Sequence, residues 1–154
     1  MREILTTETA LLMRIAHLHE SIPKTYVDTY EVTDLDITLR YESMLLQMKH
    51  RQDKIIVIEE SDTLCAFLWY HISETVHIKS TYVAPQYRNQ GYATQLKRHI
   101  ESIAKANNIQ TIYSDVHMNN KKMRQLNQKL GYETVMDYHR TSDERIRMIK
   151  IIEV

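Results

Sequence analysis

The sequence predicts an α+β single domain over residues 1–154, with about seven strands and four helices in the order βααβββαβαββ. Apolar residues recur at three- and four-residue spacing in four segments and form β-type runs in the segments between and around them. No repeat, low-complexity tract or Gly/Ser/Pro-rich linker divides the chain, and 154 residues suit one domain of ordinary size. The content of 43% apolar and 26% charged residues argues against disorder. Only two glycines and two prolines are present, against average usage of about 7% and 5%. A sandwich or barrel of tight φ > 0 hairpins would use more glycine.

Each element has its own signal. Residues 2–5 read as a short strand, and Thr6 or Thr7 is placed to cap a helix in which Leu11, Leu12, Ile15 and Leu18 share a face. Pro23 ends it. A second helix is expected over about 34–49, with Leu39, Met44, Leu45 and Met48 inward. Lys54 to Glu59 is rich in Ile and Val, Ser61-Asp62-Thr63 reads as a turn, and Leu64 to Ile72 as an aromatic-rich strand. A third strand covers Val76 to Val83 before Pro85 blocks its continuation. Past Gly91, residues Ala93, Leu96, Ile100, Ile103 and Ala104 line one helix face up to Asn107-Asn108. A strand at 111–116, a helix at about 120–130 with Met123, Leu126 and Leu130 on one side, and strands at about 132–138 and 145–152 complete the order. The methionines read as core filler.

Lys plus Arg and Asp plus Glu number 20 each, so no global electrostatic footprint for nucleic acid exists. The single cysteine, Cys65, lies in an apolar run and is expected to be a buried, inert thiol in a cytoplasmic protein. No apolar stretch approaches the roughly 18 residues that span a bilayer, so no membrane association is expected. Eight histidines raise the question of a metal, yet His17 and His19 diverge at i, i+2 on a helix and no Cys or carboxylate cluster accompanies any of them. No metal is expected.

The chemistry concentrates where Thr81 to Ala93 joins a strand to a helix through Gly91. The first turn of a helix leaves backbone N–H groups unpaired and carries partial positive charge, and a glycine there lets an anion approach closely. Arg88 could add a charge-assisted contact. Neither a Walker loop nor a three-glycine dinucleotide fingerprint is present. The run Arg88-Asn89-Gln90-Gly91-Tyr92-Ala93 resembles the Arg/Gln-x-x-Gly-x-Gly/Ala acetyl-CoA loop of the GNAT (Gcn5-related N-acetyltransferase) superfamily, and Tyr82-Val83-Ala84-Pro85 is similar to its lead-in strand. Downstream, Asn120-x-x-Met123-x-x-Leu126-Asn127-x-x-Leu130-Gly131-Tyr132 resembles the family's Asn-x-x-Ala-x-x-Leu-Tyr-x-x-x-Gly-Phe segment, at the right distance. The element order agrees from end to end.

The resemblance implies a GNAT-type domain with a mixed, mostly antiparallel central sheet, and an N-acetyltransferase that moves acetyl from acetyl-CoA directly to an amine in a ternary complex. It implies that backbone amides across Arg88, Asn89, Gln90, Gly91, Tyr92 and Ala93 hold the CoA pyrophosphate, that Tyr82 and Val83 pair with the pantetheine arm, and that Asn120 contacts it. The Val83 N–H becomes the oxyanion donor. Between residues 86 and 130 stand eight Lys or Arg (Arg88, Lys97, Arg98, Lys105, Lys121, Lys122, Arg124, Lys129) and two acids (Glu101, Asp115). That local excess suits a ligand with three phosphates, or else marks solvated helix faces.

Amine acetylation needs a neutral nitrogen, an oxyanion donor and a proton for the departing thiolate. His77, fourteen residues before Gly91, stands where some members place a glutamate base; a structural or substrate-lining role is the alternative. Lys79 shares its face. Many relatives have a tyrosine acid at the position of Asn127, whose amide cannot supply a titrating proton but could bond the sulfur or position water. Tyr132, Tyr138 and Tyr113 are candidate substitutes. His117 and Asp115 end the strand that should flank the acceptor channel, as site or capping residues.

Residues 20–36 carry five acids (Glu20, Asp28, Glu31, Asp34, Asp36) against Lys24, with Tyr26 and Tyr30, which makes either a rim for a cationic amine or an exposed acidic loop. A small-molecule amine is preferred to a protein tail as acceptor, because little extra docking surface is evident. Lys79 or Arg40 would answer an acceptor carboxylate. An acetyl-CoA sensor without turnover and a peptide acetyltransferase are the alternatives, and the apolar run Met148 to Ile152 is compatible with homodimer pairing through a sheet edge.

Overall fold

A computed structural model describes residues 1–135 and 144–153. Turn chemistry sets its central meander. Ser61 and Asp62 both adopt positive φ, 49° and 66°, the left-handed pair that matches the twist of a two-residue hairpin. They fold Lys54–Glu60 (β2) back on Thr63–Ile72 (β3). β3 then pairs antiparallel with Val76–Val83 (β4). With Arg2–Glu3 (β1), Thr111–His117 (β5), Glu133–Thr134 (β6) and Arg145–Ile151 (β7), the strands form one seven-stranded sheet in the order β1-β2-β3-β4-β5-β7-β6. Among the described residues only β4 and β5 run parallel. The crossover between them is Tyr92–Ala106 (α3).

Helices cover both faces because the strands are apolar on both. On one side Thr9–Ser21 (α1) and Asp34–His50 (α2) bury Leu12, Ile15 and Met44 against Ile55, Val57, Phe67 and Trp69. On the other, α3 and Lys121–Lys129 (α4) pack Leu96, Ile100, Ala104, Met123 and Leu126 on Ile56, Leu68, Ile78 and Ile112. Cys65 is buried and unpaired, as its apolar run implies.

Several expectations need correction. Neither Thr6 nor Thr7 caps α1: Glu8 stands at the N-cap without a side-chain cap bond, because its carboxylate accepts the Leu5 N–H at 2.6 Å and pairs with Arg2. In α2 the cap is Thr33, in a reciprocal box with Asp36. Leu39, expected inward, is 58% exposed, since Met44 and Met48 take the buried stripe. The run Met148 to Ile152 is covered in part, by a β6 that among the described residues pairs only with Met148 and Ile149, while Ile151 is 67% exposed. β7 lies between β5 and β6, and both Met148 and Ile152 are buried. The strand expected at about 132–138 is seen as β6, its later residues falling outside those described.

Lys97 departs furthest from the charge reading. It is 1% exposed on the inner side of α3, not on a ligand-facing surface. Its ammonium has no hydrogen-bond partner among the described residues and stands 5.4 Å from the centre of the Tyr132 ring, a partial compensation. Burial brings its pKa down to about 8. The folded protein therefore binds fewer protons here than the unfolded chain between about pH 8 and 10.5, and stability rises with pH across that window. Lys97→Met is expected to raise the urea midpoint at pH 7, by about 0.5–2 kcal/mol in unfolding free energy. The gain should shrink by pH 10, and a variant less stable at both pH values would contradict the cost assigned to the buried charge.

Candidate functional site

The parallel pair at the sheet's centre stays together for only three residues. Val76, His77 and Ile78 pair with Ile112, Tyr113 and Ser114, after which β4 runs on to Val83 and β5 to His117 with no pairing between them. The reason sits on the other edge of β4. Trp69 pairs with Ser80 but Tyr70 with Ile78, so Lys79 is an extra residue, a β-bulge that bends the strand.

Ladder parity then fixes where the Val83 peptide groups point. The Ala84 N–H donates to Cys65 O at 2.8 Å, and hydrogen-bonded pairs alternate along an antiparallel ladder. Val83 is therefore in a non-hydrogen-bonded pair with Ala66, its N–H and C=O turned from β3 toward the opening. Consistently, Arg88 Nε donates to Val83 O at 3.0 Å.

At one end of the opening stands the entrance of α3. The first intrahelical bond is from Gln95 N to Gly91 O, and no side chain caps the helix. The N–H groups of Tyr92, Ala93 and Thr94 precede that bond and so lack helical acceptors. Gly91 has φ +85°, where side chains are strained, and a Cβ added there would meet nothing within 4 Å. The backbone conformation requires the glycine, and the space above it is open to a ligand. Asn89 is also left-handed, at φ 62°. Nearby side chains are engaged: Gln90 Nε2 donates to Gln86 O, and Tyr92 donates its hydroxyl to Glu60 at 2.6 Å, which raises the phenol pKa to about 12.

A cleft of about 150 Å3 opens beside this region, between the end of α1, β4, β5 and α4. Tyr26, just past the 3-10 turn Ile22–Thr25, stacks on His117 at 4.9 Å, joining the α1–α2 connection to the end of β5. Tyr30, Lys79, Asp115, Asn120 and Arg145 also line it. The His117 Nδ1 accepts the Asn119 N–H at 3.1 Å. Asn120 Oδ1 accepts the Met123 N–H, capping α4.

Beneath the cleft lies the Asp53 carboxylate, with 0% of its side chain exposed. It accepts Trp69 Nε1–H at 2.8 Å and Lys79 Nζ at 2.6 Å, and lies 2.7 Å from His71 Nδ1. Lys79 also donates to Gln47 Oε1. Trp69 in turn meets the ring of His19 edge-on at 5.6 Å, and His19 Nδ1 is 2.8 Å from Ser80 Oγ. His19 is half-buried. Desolvation, then the charges of Arg40 and Arg145, bring its pKa down to about 3.

The structure gathers some expected residues and separates others. Val83 and the loop Arg88–Ala93 border the opening, whereas Tyr82 pairs with Phe67 and stacks on its ring at 5.4 Å on the α1–α2 side; Tyr26, Tyr30, Lys79, His117 and Asn120 line the cleft. Lys79 is committed to Asp53, and Arg40 to Glu20 at 2.5 Å, so neither cation stands without a counter-charge. Of the five acids in the connection only Glu20 lines the cleft. Asp36 serves the α2 cap and Asp28 and Glu31 are exposed.

His77 is not among the cleft residues. Its ring lies flat on Tyr113 at 4.3 Å, and desolvation brings its pKa down to about 4. Asn127 is wholly buried, its Nδ2 toward Met148 Sδ and its Oδ1 without a partner among the described residues. Tyr132 is buried too, and its phenol pKa is raised by desolvation. Neither reaches the opening. Tyr138 lies outside the described residues.

Sequence reasoning missed Asp53, Ser80 and His19. Asp53 carries a faint signal, an acid directly before an Ile/Val strand. His19 was visible only as half of a His-x-His pair, and nothing local shows that α1 brings it against β4.

The acetyltransferase (GNAT) family matches residues 15–132. A solved GNAT-family acetyltransferase structure from Staphylococcus aureus subsp. aureus is 38% identical, covering 72% of this chain and 95% of that one, with a TM-score of 0.64. The PaiA N-acetyltransferase of Thermoplasma acidophilum, solved in complex with coenzyme A, is 19% identical over 99% of this chain and 100% of its own, with a TM-score of 0.74. A ribosomal-protein-alanine N-acetyltransferase from Brucella melitensis is 15% identical over 98% of each chain, with a TM-score of 0.70. No curated protein matches significantly. From the family match across residues 15–132 and the 38% identity to a solved member, the chain belongs to the GNAT acetyltransferase family.

Proposed function

We propose that this protein transfers an acetyl group from acetyl-CoA to the primary amine of a small molecule. One observation carries the reading: β4 turns the Val83 N–H into an opening at its edge, beside a carbonyl held by Arg88, and lines a small cleft with its face, so two ligands can meet along one strand. When bound, acetyl-CoA supplies the thioester. The chain's own residues fit it: the uncapped N–H groups at the start of α3 suit a pyrophosphate, with Arg88 beside them, and the outward N–H of Val83 suits an amide-bearing arm. Asn120, whose Oδ1 is used by the α4 cap, retains its amide N–H donors for that arm. The solved PaiA relative binds coenzyme A on the same fold.

Attack by the amine turns the carbonyl oxygen into an oxyanion, and the Val83 N–H is the preorganised donor for it. Asn127 takes no part, being sealed in the core. Neither Asn127 nor Tyr132 is placed to protonate the thiolate, which takes its proton from water. The modest cleft favours a small acceptor over a folded protein.

Two outcomes test this. Gly91→Val is expected to weaken acetyl-CoA binding in calorimetry by about tenfold or more, because a β-branched residue resists φ > 0 and its methyls fill the space at the helix entrance; unchanged affinity would contradict the loop's role. In a panel of amino acids, polyamines, aminoglycosides and peptides, release of free CoA thiol from acetyl-CoA is expected with at least one of the small amines. Tight binding with no release on any acceptor would replace the enzyme with a sensor, and release with peptides alone would move the acceptor class.

A further inference from the structure

We infer that His19, held against Ser80 in the acceptor cleft, receives the proton that the acceptor nitrogen sheds during transfer. This deepens the acetyl-transfer reading above and rests on it. The other candidates in the cleft are committed. Lys79 is an ammonium bonded to Asp53 and Gln47; Glu20 is paired with Arg40; Asp115 holds Arg147 through both oxygens at 2.9 and 3.0 Å. His117 uses its Nδ1 lone pair on the Asn119 N–H, so in the neutral ring Nε2 carries the hydrogen and has no lone pair to offer.

His19 differs. Its Nδ1 lies 2.8 Å from Ser80 Oγ, a hydroxyl able to accept as well as donate, so the neutral ring can carry its hydrogen on Nδ1 and keep Nε2 as an acceptor, and no other residue bonds to the ring among those described. The edge-on contact with Trp69, itself held by Asp53, fixes the ring plane. Charged and titratable groups face it from each neighbouring element: Glu20 beside it, Arg40 on α2, Lys79 on β4, Asp115 and His117 on β5, and Arg145 on β7. Tyr26 and Tyr30 face it from the α1–α2 connection. Burial and the two arginines keep the imidazole neutral through the physiological range.

The step balances without further reagents. The unprotonated amine bonds to the acetyl carbon, and the C–S bond breaks with its electrons going to sulfur. The now cationic nitrogen passes one proton to His19 Nε2, which returns it to solvent through the cleft. The thiolate takes a proton from water, leaving amide and CoA thiol. A weak base suffices because nitrogen bonded to an acyl centre is far more acidic than the free ammonium.

His19→Gln keeps a hydrogen-bonding side chain toward Ser80 but accepts no proton. On the acceptor found by thiol release, its kcat is expected to fall by about 10²–10⁴-fold, with acetyl-CoA affinity unchanged, and the deficit should narrow above pH 9 as hydroxide takes over. Ser80→Ala, which frees the tautomer while leaving the imidazole, should lower kcat by a smaller factor. A kcat for His19→Gln within threefold of wild type, or a loss of the same size at every pH, would overturn the inference while leaving acetyl transfer standing. Acetyl-CoA binding without thiol release by the wild-type protein on any amine would overturn acetyl transfer and this inference together.

Discussion

The Asp53 carboxylate ties together the parts on which the site depends. It follows the end of α2, its own N–H donating to Gln47 O at 3.1 Å, and it holds Trp69 and His71 on β3 and Lys79 on β4. A buried carboxylate persists only when every lone pair is answered, and removing one partner of such a pair typically costs about 3–5 kcal/mol. Here the partners answer each other. The bulge at Lys79 brings its ammonium onto the α1–α2 face, and the same bulge bends β4 away from β5.

From that bend the division of labour follows. Along its edge, β4 presents the peptide groups of Val83 toward the opening; on its face it presents Lys79 and Ser80 toward the cleft. The crossover into α3 reaches the opening through Gly91, whose left-handed backbone starts the helix with free N–H groups. Backbone dipoles supply positive character there. Lys97 is buried, and Arg98 is paired with Glu101. The formal neutrality of the chain is compatible with an anion site of this kind, because helix dipoles add no net charge.

Much of the fold was legible because its signals are local. The β4 boundaries, Val76 and Val83, follow from the β-branched pattern and Pro85; α3 follows from a three–four apolar spacing; the hairpin at Ser61-Asp62 follows from turn chemistry. Gly91 and Gly131, both at positive φ, stand where the two motifs place them. The pairing of long-range polar groups was not legible. His77 and His19 look alike in the sequence, yet one stacks on Tyr113 across the parallel pair and the other turns toward Ser80, a distinction made by strand register and helix packing. Asn127 matches a family tyrosine position by spacing, but spacing does not report that its side chain points to Met148. The acidic connection, open in the sequence to two readings, is mostly the exposed loop: Asp28, Glu31 and Asp34 face solvent, capping uses Asp36, and Arg40 pairs with Glu20.

The central claim is that the outward N–H of Val83 and the first-turn N–H groups of α3 meet acetyl-CoA. Residue-resolved amide hydrogen exchange with and without acetyl-CoA tests it most directly. Protection should appear at Val83 and across Gln90 to Thr94, with little change in β1 or the first turns of α2. Saturating ligand that leaves Val83 and Gln90 to Thr94 exchanging as in the free protein would contradict the account.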